Sequence, residues 1–353
     1  MVARNELVLQ PNSRFLKNLK IQTQQLQNYS FVGNDLIGGQ LTHLAVKGPK
    51  IQMIGTLSKG YLLIENGGLK AHGKLPGTFN ALQDLVYIKD FDYYLMVIDS
   101  LIFRKDIDYR VPYIYMYTNC GDRHGSCLRY SVENKRLFIN KDSRSISVVD
   151  LVRKKVEIEV PKLVGKRIMD FKLFGVTEDR VIAISEDGYL LLYRFNFQEK
   201  IGVVVDRVQI DLMSERNEKA ISVAVCDGNE HFLVEIGQRG YPNCCSRMMV
   251  FKVKNEGLVR MTEIDQISKG LGHKPALTCL FTDKRIVVWV GLTRNSGGVV
   301  QTYFYDKKAG ALDELVQERK SHCENDPTRL VRHDGYLYYT GTRGGIFRLK
   351  LVN

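Results

Sequence analysis

One short segment of this sequence brings together residue types that bind transition metals. The segment CGDRHGSC places Cys120, Asp122, His124 and Cys127 within eight residues. Thiolate, imidazole and carboxylate groups all bind zinc, but structural zinc sites commonly pair their cysteines as C-x2-C and add a second ligand pair. Here the spacing is C-x6-C and no second pair follows. A loop between two strands explains these residues equally well, so we predict no metal site, with zinc binding as the open alternative.

Other chemical signatures of an active site are weak. Cys244 and Cys245 are adjacent in the segment RGYPNCCSR, and we interpret them as reduced thiols rather than as a redox centre. The nucleophile motif G-x-S-x-G and the phosphate-binding P-loop are both absent from the sequence. The glycine pairs lie between strand-like segments, where turns use them. We therefore predict no catalytic residue, no cofactor and no cofactor-binding residue.

Composition and charge narrow the class of protein. Charged residues make up 25% and hydrophobic residues 44% of the 353-residue chain, as in globular proteins. No apolar run is long enough to span a membrane, and the N-terminus lacks the apolar stretch of a signal peptide. We therefore expect no membrane insertion and an intracellular protein, cytoplasmic or nuclear. A transit peptide is the alternative, since Arg4 precedes the first acidic residue, Glu6.

The net charge of the chain is +12, which favours acidic partners. An acidic protein, nucleic acid and an anionic membrane surface all fit this charge. The basic residues are scattered along the chain and form no block of the kind that marks a nucleic-acid-binding tail. The charge alone therefore does not choose among these partners.

Strand-like segments recur along the chain at a regular spacing. In SEDGYLLLYRF (185–195), turn residues lead into an apolar strand, and another strand-like segment, VIAI, comes directly before them. Seven segments share this pattern, and their turns end at Gly60, Ser100, Arg144, Gly188, Ser246, Val300 and Gly344. The steps between these positions are 40, 44, 44, 58, 54 and 44 residues. Four-stranded repeats with a period of roughly 40–45 residues are typical of β-propellers.

The two ends of the chain indicate how the repeats close. The last repeat stops after its third strand, whereas residues 1–40 contain spare strand-like sequence before the first repeat begins near Leu41. An N-terminal strand paired beside the last repeat would cover an exposed sheet edge. We therefore predict an all-β fold, a seven-bladed β-propeller closed by an N-terminal strand that completes the last blade. Six or eight blades are the alternatives.

The predicted propeller forms one domain over residues 1–353, with the closing strand and lead-in in 1–40 and the blades in 41–353. Few segments favour a helix. The segment ALDELVQERK (311–320) fits either a short helix or an elaborated outer strand.

The period and the four-stranded repeat resemble those of the WD-repeat propellers, a family named for a Trp-Asp pair at the end of the third strand. Asp150 and Asp306 keep the acid of that pair, but no Trp stands before either. Gly272-His273 matches the Gly-His that precedes a first strand in the family. The resemblance implies structural, non-catalytic roles for Asp150, His273 and Asp306. For His273, an exposed loop position is the alternative.

The loops that break the period are candidates for partner binding, because loops carry function more often than the strands that they connect. The sharpest candidate is GQRGYPNCCSR (237–247), which contains Arg239, Tyr241 and Arg247. Arginine and tyrosine are enriched at binding hot spots. A solvated loop without a partner is the alternative.

A second candidate is aromatic. The segment VPYIYMYTN places Tyr113, Tyr115 and Tyr117 on one face of a strand, because side chains alternate along a strand. Packing of these rings against the next blade is the favoured interpretation, and an exposed face for a partner is the other.

The function expected from these features is a non-catalytic propeller scaffold that binds protein or peptide partners within a larger assembly, with acidic partners favoured by the net charge. Two alternatives remain. One is a basic propeller that binds nucleic acid or a nucleoprotein, and the other is an enzyme with its site in the central channel.

Overall fold

Strands account for almost all of the regular structure. The structure is a computed structural model, and it describes residues 5–8, 20–27, 41–48, 50–56, 60–66, 68–74, 82–98, 101–107, 113–117, 127–141, 145–162, 165–214, 218–225, 230–238, 246–264, 276–281, 285–292, 299–306, 311–312, 317–320, 327–333, 336–341 and 346–352. In this part of the chain, no helix is both long and apolar enough to cross a membrane.

The described residues form 30 strands and one 3-10 turn, Lys89–Phe91. The strands are β1 (Asn5–Val8), β2 (Lys20–Gln27), β3 (Leu41–Gly48), β4 (Ile51–Thr56), β5 (Gly60–Glu65), β6 (Gly68–Lys74), β7 (Asp84–Ile88), β8 (Tyr93–Ile98), β9 (Leu101–Asp106), β10 (Tyr113–Tyr117), β11 (Leu128–Ser131), β12 (Arg136–Lys141), β13 (Ser145–Asp150), β14 (Lys155–Pro161), β15 (Ile168–Phe174), β16 (Arg180–Ser185), β17 (Tyr189–Asn196), β18 (Ile201–Gln209), β19 (Glu218–Val225), β20 (His231–Gln238), β21 (Ser246–Lys254), β22 (Gly257–Ile264), β23 (Ala276–Phe281), β24 (Arg285–Leu292), β25 (Val299–Asp306), β26 (Ala311–Leu312), β27 (Gln317–Lys320), β28 (Pro327–His333), β29 (Tyr336–Gly341) and β30 (Ile346–Val352).

These strands form antiparallel sheets, and in most of them the strand order follows the chain. Two compact units contain them, one made of Met1–Pro76 with Leu271–Asn353 and the other of Gly77–Gly270. The first unit holds the sheets β3–β6 and β23–β27 and a sheet in the order β28-β29-β30-β2-β1. The second unit holds the sheets β7–β10, β11–β14, β15–β18 and β19–β22.

The repeat predicted from the sequence is confirmed in every sheet of the described residues. Each of the seven predicted segments is the third strand of its sheet, namely β5, β9, β13, β17, β21, β25 and β30. The ambiguous segment 311–320 contributes strand residues, because β26 and β27 both pair with β25. The elaborated outer strand was therefore the right alternative for the residues described there.

The N-terminal strand completes the last sheet, as predicted. Strand β2 pairs antiparallel with β30, from Lys20 opposite Val352 to Gln27 opposite Ile346. Strand β1 then pairs with β2 and adds a fifth strand, which the sequence did not predict. The two ends of the chain thus meet in one sheet of the first unit.

The core of the second unit lies between its sheets, and β17 shows why its sequence is a continuous apolar run. Leu190 and Leu192 join a buried cluster with side chains of the β19–β22 sheet. Leu191 and Tyr193 join another cluster with side chains of the β11–β14 sheet. Both faces of the strand are therefore packed, which removes the polar alternation of a half-exposed strand. Alternate side chains of this segment thus pack against the two neighbouring sheets.

The turn before β17 has the predicted chemistry. Gly188 adopts φ +84, a conformation that costs glycine little. Its amide donates a 3.0 Å hydrogen bond to the Ser185 carbonyl, and its own carbonyl accepts one from the Ile210 amide at 2.8 Å. An added Cβ would lie 2.9 Å from the Ile210 carbonyl oxygen, so the position requires glycine. Gly188 is confirmed as a turn residue.

Candidate interaction surface

The predicted aromatic strand is β10, the outermost strand of the β7–β10 sheet. Its residues pair with β9, Tyr113 opposite Arg104 and Ile114 opposite Phe103, and the register then shifts at Tyr115. The bulge adds a residue to one strand and breaks regular alternation. The expectation of one regular face is therefore corrected. Tyr113 is 42% exposed, whereas Tyr115 is only 8% exposed.

Tyr115 packs inward and joins β10 to the neighbouring β11–β14 sheet. Its hydroxyl donates a 2.8 Å hydrogen bond to the Leu151 carbonyl. Its ring centroid lies 5.9 Å from that of Tyr93, which is also buried. Burial, with the hydrogen bond to Tyr115, raises the pKa of the Tyr93 phenol far above its usual value. Both rings therefore form a packed base for the more exposed side chains above them. The backbone of Tyr117 lies opposite Leu101, and its side chain lies outside the described residues.

Arg104 lies on this base, between two tyrosine rings. Its guanidinium carbon is 4.0 Å from the ring centroid of Tyr93 and 5.8 Å from that of Tyr113. Its Nε donates a 2.8 Å hydrogen bond to Asp106, and a second nitrogen pairs with the same carboxylate oxygen. Cation–π contacts and this ion pair fix the guanidinium. Arg104 in turn contacts the exposed ring of Tyr113 through its guanidinium group.

The turn between β13 and β14 supplies a second cation. Asp150, the last residue of β13, accepts hydrogen bonds from the amides of Val152 at 2.8 Å and Arg153 at 3.1 Å. Burial acts to raise the pKa of this carboxyl, but these amides and the nearby arginines outweigh burial and lower it. The turn ends at Lys154, which has φ +51 and places its Nζ 4.8 Å from the Tyr115 ring centroid. The carboxylate at the family's Asp position thus shapes the turn that orients Lys154.

The same device recurs in the β15–β18 sheet. Asn196, the last residue of β17, accepts hydrogen bonds from the amides of Gln198 at 3.0 Å and Glu199 at 3.1 Å. The turn again ends in a lysine with positive φ, Lys200 at +57. Asn196 is therefore the residue equivalent to Asp150. It lies two positions after the residue that corresponds to Asp150 when β13 and β17 are aligned at their first residues.

We call the exposed part of this region the Tyr113 surface, made of Arg104, Tyr113, Val152 and Lys154. Val152 is 73% exposed and directly follows Leu151, whose carbonyl accepts the hydrogen bond from the Tyr115 hydroxyl. The surface thus combines an aromatic ring, an aliphatic side chain and cations on a rigid base. Such a combination can bind a partner by apolar contact and by ion pairing.

Only one of the three residues in the predicted loop site is described, and its position is a correction. Arg247 is a residue of β21 and is 3% exposed. Its Nε and Nη2 donate to Glu218 at 3.0 and 2.6 Å, and its Nη1 donates to Glu263 at 2.9 Å. Buried arginines need such partners, so this guanidinium holds strands together. Arg239 and Tyr241 lie outside the described residues.

The other predicted positions lie as follows. His273 and residues 120–126 of the metal-like segment are outside the described residues. Asp306 ends β25, with its backbone opposite Arg285 and Ala311. Cys127 is buried, and its amide donates a hydrogen bond to Asp84 at 2.8 Å. Among the residues that the structure describes, no three His, Cys, Asp or Glu side chains are grouped to hold a metal ion.

A charged belt across the first strands of the second unit was missed by the sequence analysis. Asp84 on β7 accepts hydrogen bonds from the amides at the start of β11, those of Cys127 at 2.8 Å and Leu128 at 2.9 Å. Arg129 on β11 donates to Asp170 on β15 at 2.8 Å. Asp170 accepts at 3.1 Å from the Val223 amide of β19. Each charge bonds to the next sheet, so these groups join the first strands of four sheets.

One carboxyl beside this belt is perturbed. Glu235 on β20 is 2% exposed and accepts a 2.8 Å hydrogen bond from the Ser222 hydroxyl. Burial, together with the negative charge of Asp170, raises its pKa to about 8. Its Oε1 has no hydrogen-bond partner among the described residues. No sequence signal marks this residue, because its environment is created by side chains more than 10 residues away.

Comparisons with known proteins bear on the fold. No protein-family model and no curated protein matches this sequence. A crystal structure of the β-propeller domain of Cps50 (Swd1) from Myceliophteria thermophila matches with a TM-score of 0.60 at 10% sequence identity. The match covers 88% of this chain and 96% of that domain. This chain has a β-propeller fold.

The resemblance to WD-repeat-like propellers that was based on period and strand order is thereby confirmed at the level of the fold. The sheets described above are the blades of this propeller. At 10% identity the likeness carries the fold and not the function. The function therefore has to be argued from the surfaces of this chain.

Proposed function

We propose that this propeller is a non-catalytic scaffold that binds a protein partner through the Tyr113 surface. One observation carries the proposal: an exposed tyrosine and an exposed valine stand beside cations on a base that is packed and hydrogen-bonded. The single domain over residues 1–353 and the count of seven blades stay predictions within this proposal.

Rigidity supports this assignment. Protein hot spots are enriched in tyrosine and arginine that are positioned before the partner arrives, because ordering flexible side chains on binding costs free energy. Arg104 is fixed by Tyr93 and Asp106, and the turn before Lys154 is fixed by Asp150. A partner that docks here therefore orders few side chains.

Nucleic acid is a second candidate ligand, and the net charge of +12 favours it. Binding of a protein to nucleic acid weakens steeply as the salt concentration rises, because salt cations that the protein had displaced from the phosphates bind to them again. A titration with duplex DNA and with single-stranded RNA at two salt concentrations tests this candidate directly.

Affinity purification with matched variants tests the proposed scaffold function. We expect a stoichiometric protein to co-purify with the tagged wild-type chain and to be lost from a Tyr113→Ala, Val152→Gln double variant. Val176→Gln is the control, because Val176 is 83% exposed in the turn between β15 and β16 and belongs to a different sheet from the four residues of this surface. Retention of the same protein by the double variant, with unchanged circular dichroism, would overturn the proposal.

A further inference from the structure

The chemistry of the Tyr113 surface indicates which kind of partner segment it accepts. We propose, on the basis of the proposed function, that its occupant is an extended acidic segment of the partner protein that carries an apolar side chain. The cations contact its carboxylates, and Tyr113 and Val152 contact its apolar side chain.

Local charge supports an acidic occupant. Three consecutive cations, Arg153, Lys154 and Lys155, follow Asp150 at the edge of the surface, and all three are exposed. Asp150 lies 3.8 Å from Arg153, and Lys154 and Lys155 pair with no carboxylate among the described residues. Arg104 is already neutralised by Asp106. The surface therefore has an uncompensated positive charge next to its apolar part, which complements carboxylates on a partner.

The apolar part of the surface consists of two exposed side chains. Tyr113 is 42% exposed and Val152 is 73% exposed. An aliphatic or aromatic side chain that packs on them buries apolar area, which contributes roughly 25 cal/mol per Å². This contact adds to the ion pairs and gives the surface selectivity over acidic segments without an apolar residue.

The edge of β10 indicates that recognition uses side chains rather than strand addition. This strand has five residues and a bulge at Tyr115. Short, bulged edge strands present an irregular row of backbone groups and resist pairing with another strand. The occupant thus lies across the side chains of the surface, and a proline in it is tolerated.

Nucleic acid fits this surface less well than an acidic peptide. Binding of single strands uses aromatic faces on which successive bases stack. Among the described side chains of this region, Tyr113 is the one exposed ring, since Lys154 lies over the Tyr115 ring and Arg104 lies over the Tyr93 ring. The aliphatic side chain of Val152 also provides no aromatic face on which a nucleotide base could stack.

Fluorescence anisotropy with a defined peptide tests the inference. The probe is a fluorescein-labelled 12-residue peptide that repeats Asp-Leu-Glu-Pro, in which proline prevents helix formation. Matched probes replace every leucine by serine, replace both acids by lysine, or consist of a 12-nucleotide thymidine strand. We expect the Asp-Leu-Glu-Pro peptide to bind, and the serine and lysine versions to bind at least about tenfold more weakly.

Variants locate the binding site of the probe. We expect Tyr113→Ala and Lys154→Glu each to weaken the acidic peptide by about tenfold or more, with Val176→Gln equal to wild type. Equal binding by all of these variants, or no binding of the peptide to wild type, overturns the inference. Binding of the thymidine strand in place of the peptide, with loss in Tyr113→Ala, overturns it in favour of nucleic acid.

The two proposals fail separately. If the peptide does not bind but the double variant Tyr113→Ala, Val152→Gln still loses its protein partner in affinity purification, only the chemistry assigned to the partner segment is wrong. If that variant keeps its partner, the proposed function itself is wrong.

Discussion

Asp84 shows how a charge is kept inside this fold. The carboxylate is fully buried, and it accepts hydrogen bonds from the amides of Leu85, Cys127 and Leu128 and pairs with Arg129 at 3.4 Å. An ionised carboxylate is costly to bury unless such donors replace water. Its partners come from the first strand of the next blade, so one side chain connects two blades.

Removal of this carboxylate should destabilise the protein strongly. In Asp84→Ala the amides of Cys127 and Leu128 and the Arg129 guanidinium lose an acceptor inside the structure. We expect the free energy of unfolding to fall by about 3 kcal/mol or more in urea titrations. Asp211→Asn, at an exposed position, is the control and should change it by less than about 0.5 kcal/mol. A drop in Asp84→Ala as small as the control's would contradict this role.

The raised pKa of Glu235 predicts that the stability of the folded protein depends on pH. Its folded pKa is raised to about 8, above the usual 4.5 of an unfolded glutamate, so the folded state binds a proton that the unfolded state releases between these values. The stabilising contribution of Glu235 to the free energy of unfolding is therefore present below about pH 4.5, and it is lost as the pH rises to about 8.

The variant Glu235→Gln should remove this loss. Relative to wild type, its free energy of unfolding should be similar near pH 4.5 and higher by on the order of 3 kcal/mol near pH 8.5. The measurement is urea unfolding of both proteins across this pH range. Glu199→Gln, which is exposed, should show no such trend. A constant difference between Glu235→Gln and wild type would show that Glu235 does not titrate here.

At the scale of the strand, Gly202 lies where two neighbouring blades pack closely together. An added Cβ on this residue of β18 would collide with Val160 on β14 and would lie 2.9 Å from the Phe195 ring. In an open strand position, alanine in place of glycine usually stabilises a protein slightly. At Gly202 the added methyl group would overpack the contact between the two blades, so alanine should destabilise the protein.

We expect Gly202→Ala to lower the free energy of unfolding by roughly 1–3 kcal/mol. Gly165→Ala is the matched control, because the nearest atom to its added Cβ is the Asp187 Oδ2 at 4.0 Å. Thermal melts of the two variants compare them directly. Equal midpoints would mean that β14 and β18 are not packed this closely.

The strands were predictable from the sequence to different degrees, for identifiable reasons. Third strands such as β17 combine a turn that needs Gly188 with a long apolar run, and both signals are local. The bulge at Tyr115 has no local signal, so strict alternation gave a regular face that the structure corrects. Arg247 was included in the candidate loop 237–247, although the repeat pattern starts a strand directly after Ser246. Its burial depends on Glu218 and Glu263, which are distant in the sequence.

The proposed Tyr113 surface was predictable only in part. Tyr113 could be singled out from the spacing of tyrosines. Its neighbours could not be, because Lys154 lies on the next blade and more than 30 residues away in the sequence. The same holds for the belt from Asp84 to Asp170, whose partners are separated by more than 40 residues along the chain.

At the scale of the whole molecule, the pairing of β2 with β30 joins the two ends of the chain. Deletion of residues 1–27 should leave the edge of β30 unpaired, and unpaired edges promote both fraying and association. We expect a lower unfolding midpoint, faster amide exchange in β30, and concentration-dependent aggregation. A deletion of residues 1–4, which precede β1, is the control. Unchanged exchange in β30 after the longer deletion would contradict the closure.

The central claim, that partners dock on the Tyr113 surface, is tested most directly by site-specific photo-crosslinking. A benzoylphenylalanine at position 113, and in a second protein at position 176, is irradiated in the purified complex with the co-purifying protein. The claim predicts a covalent adduct between the two proteins from position 113 and none from position 176. An adduct from position 176 with none from position 113 would contradict it.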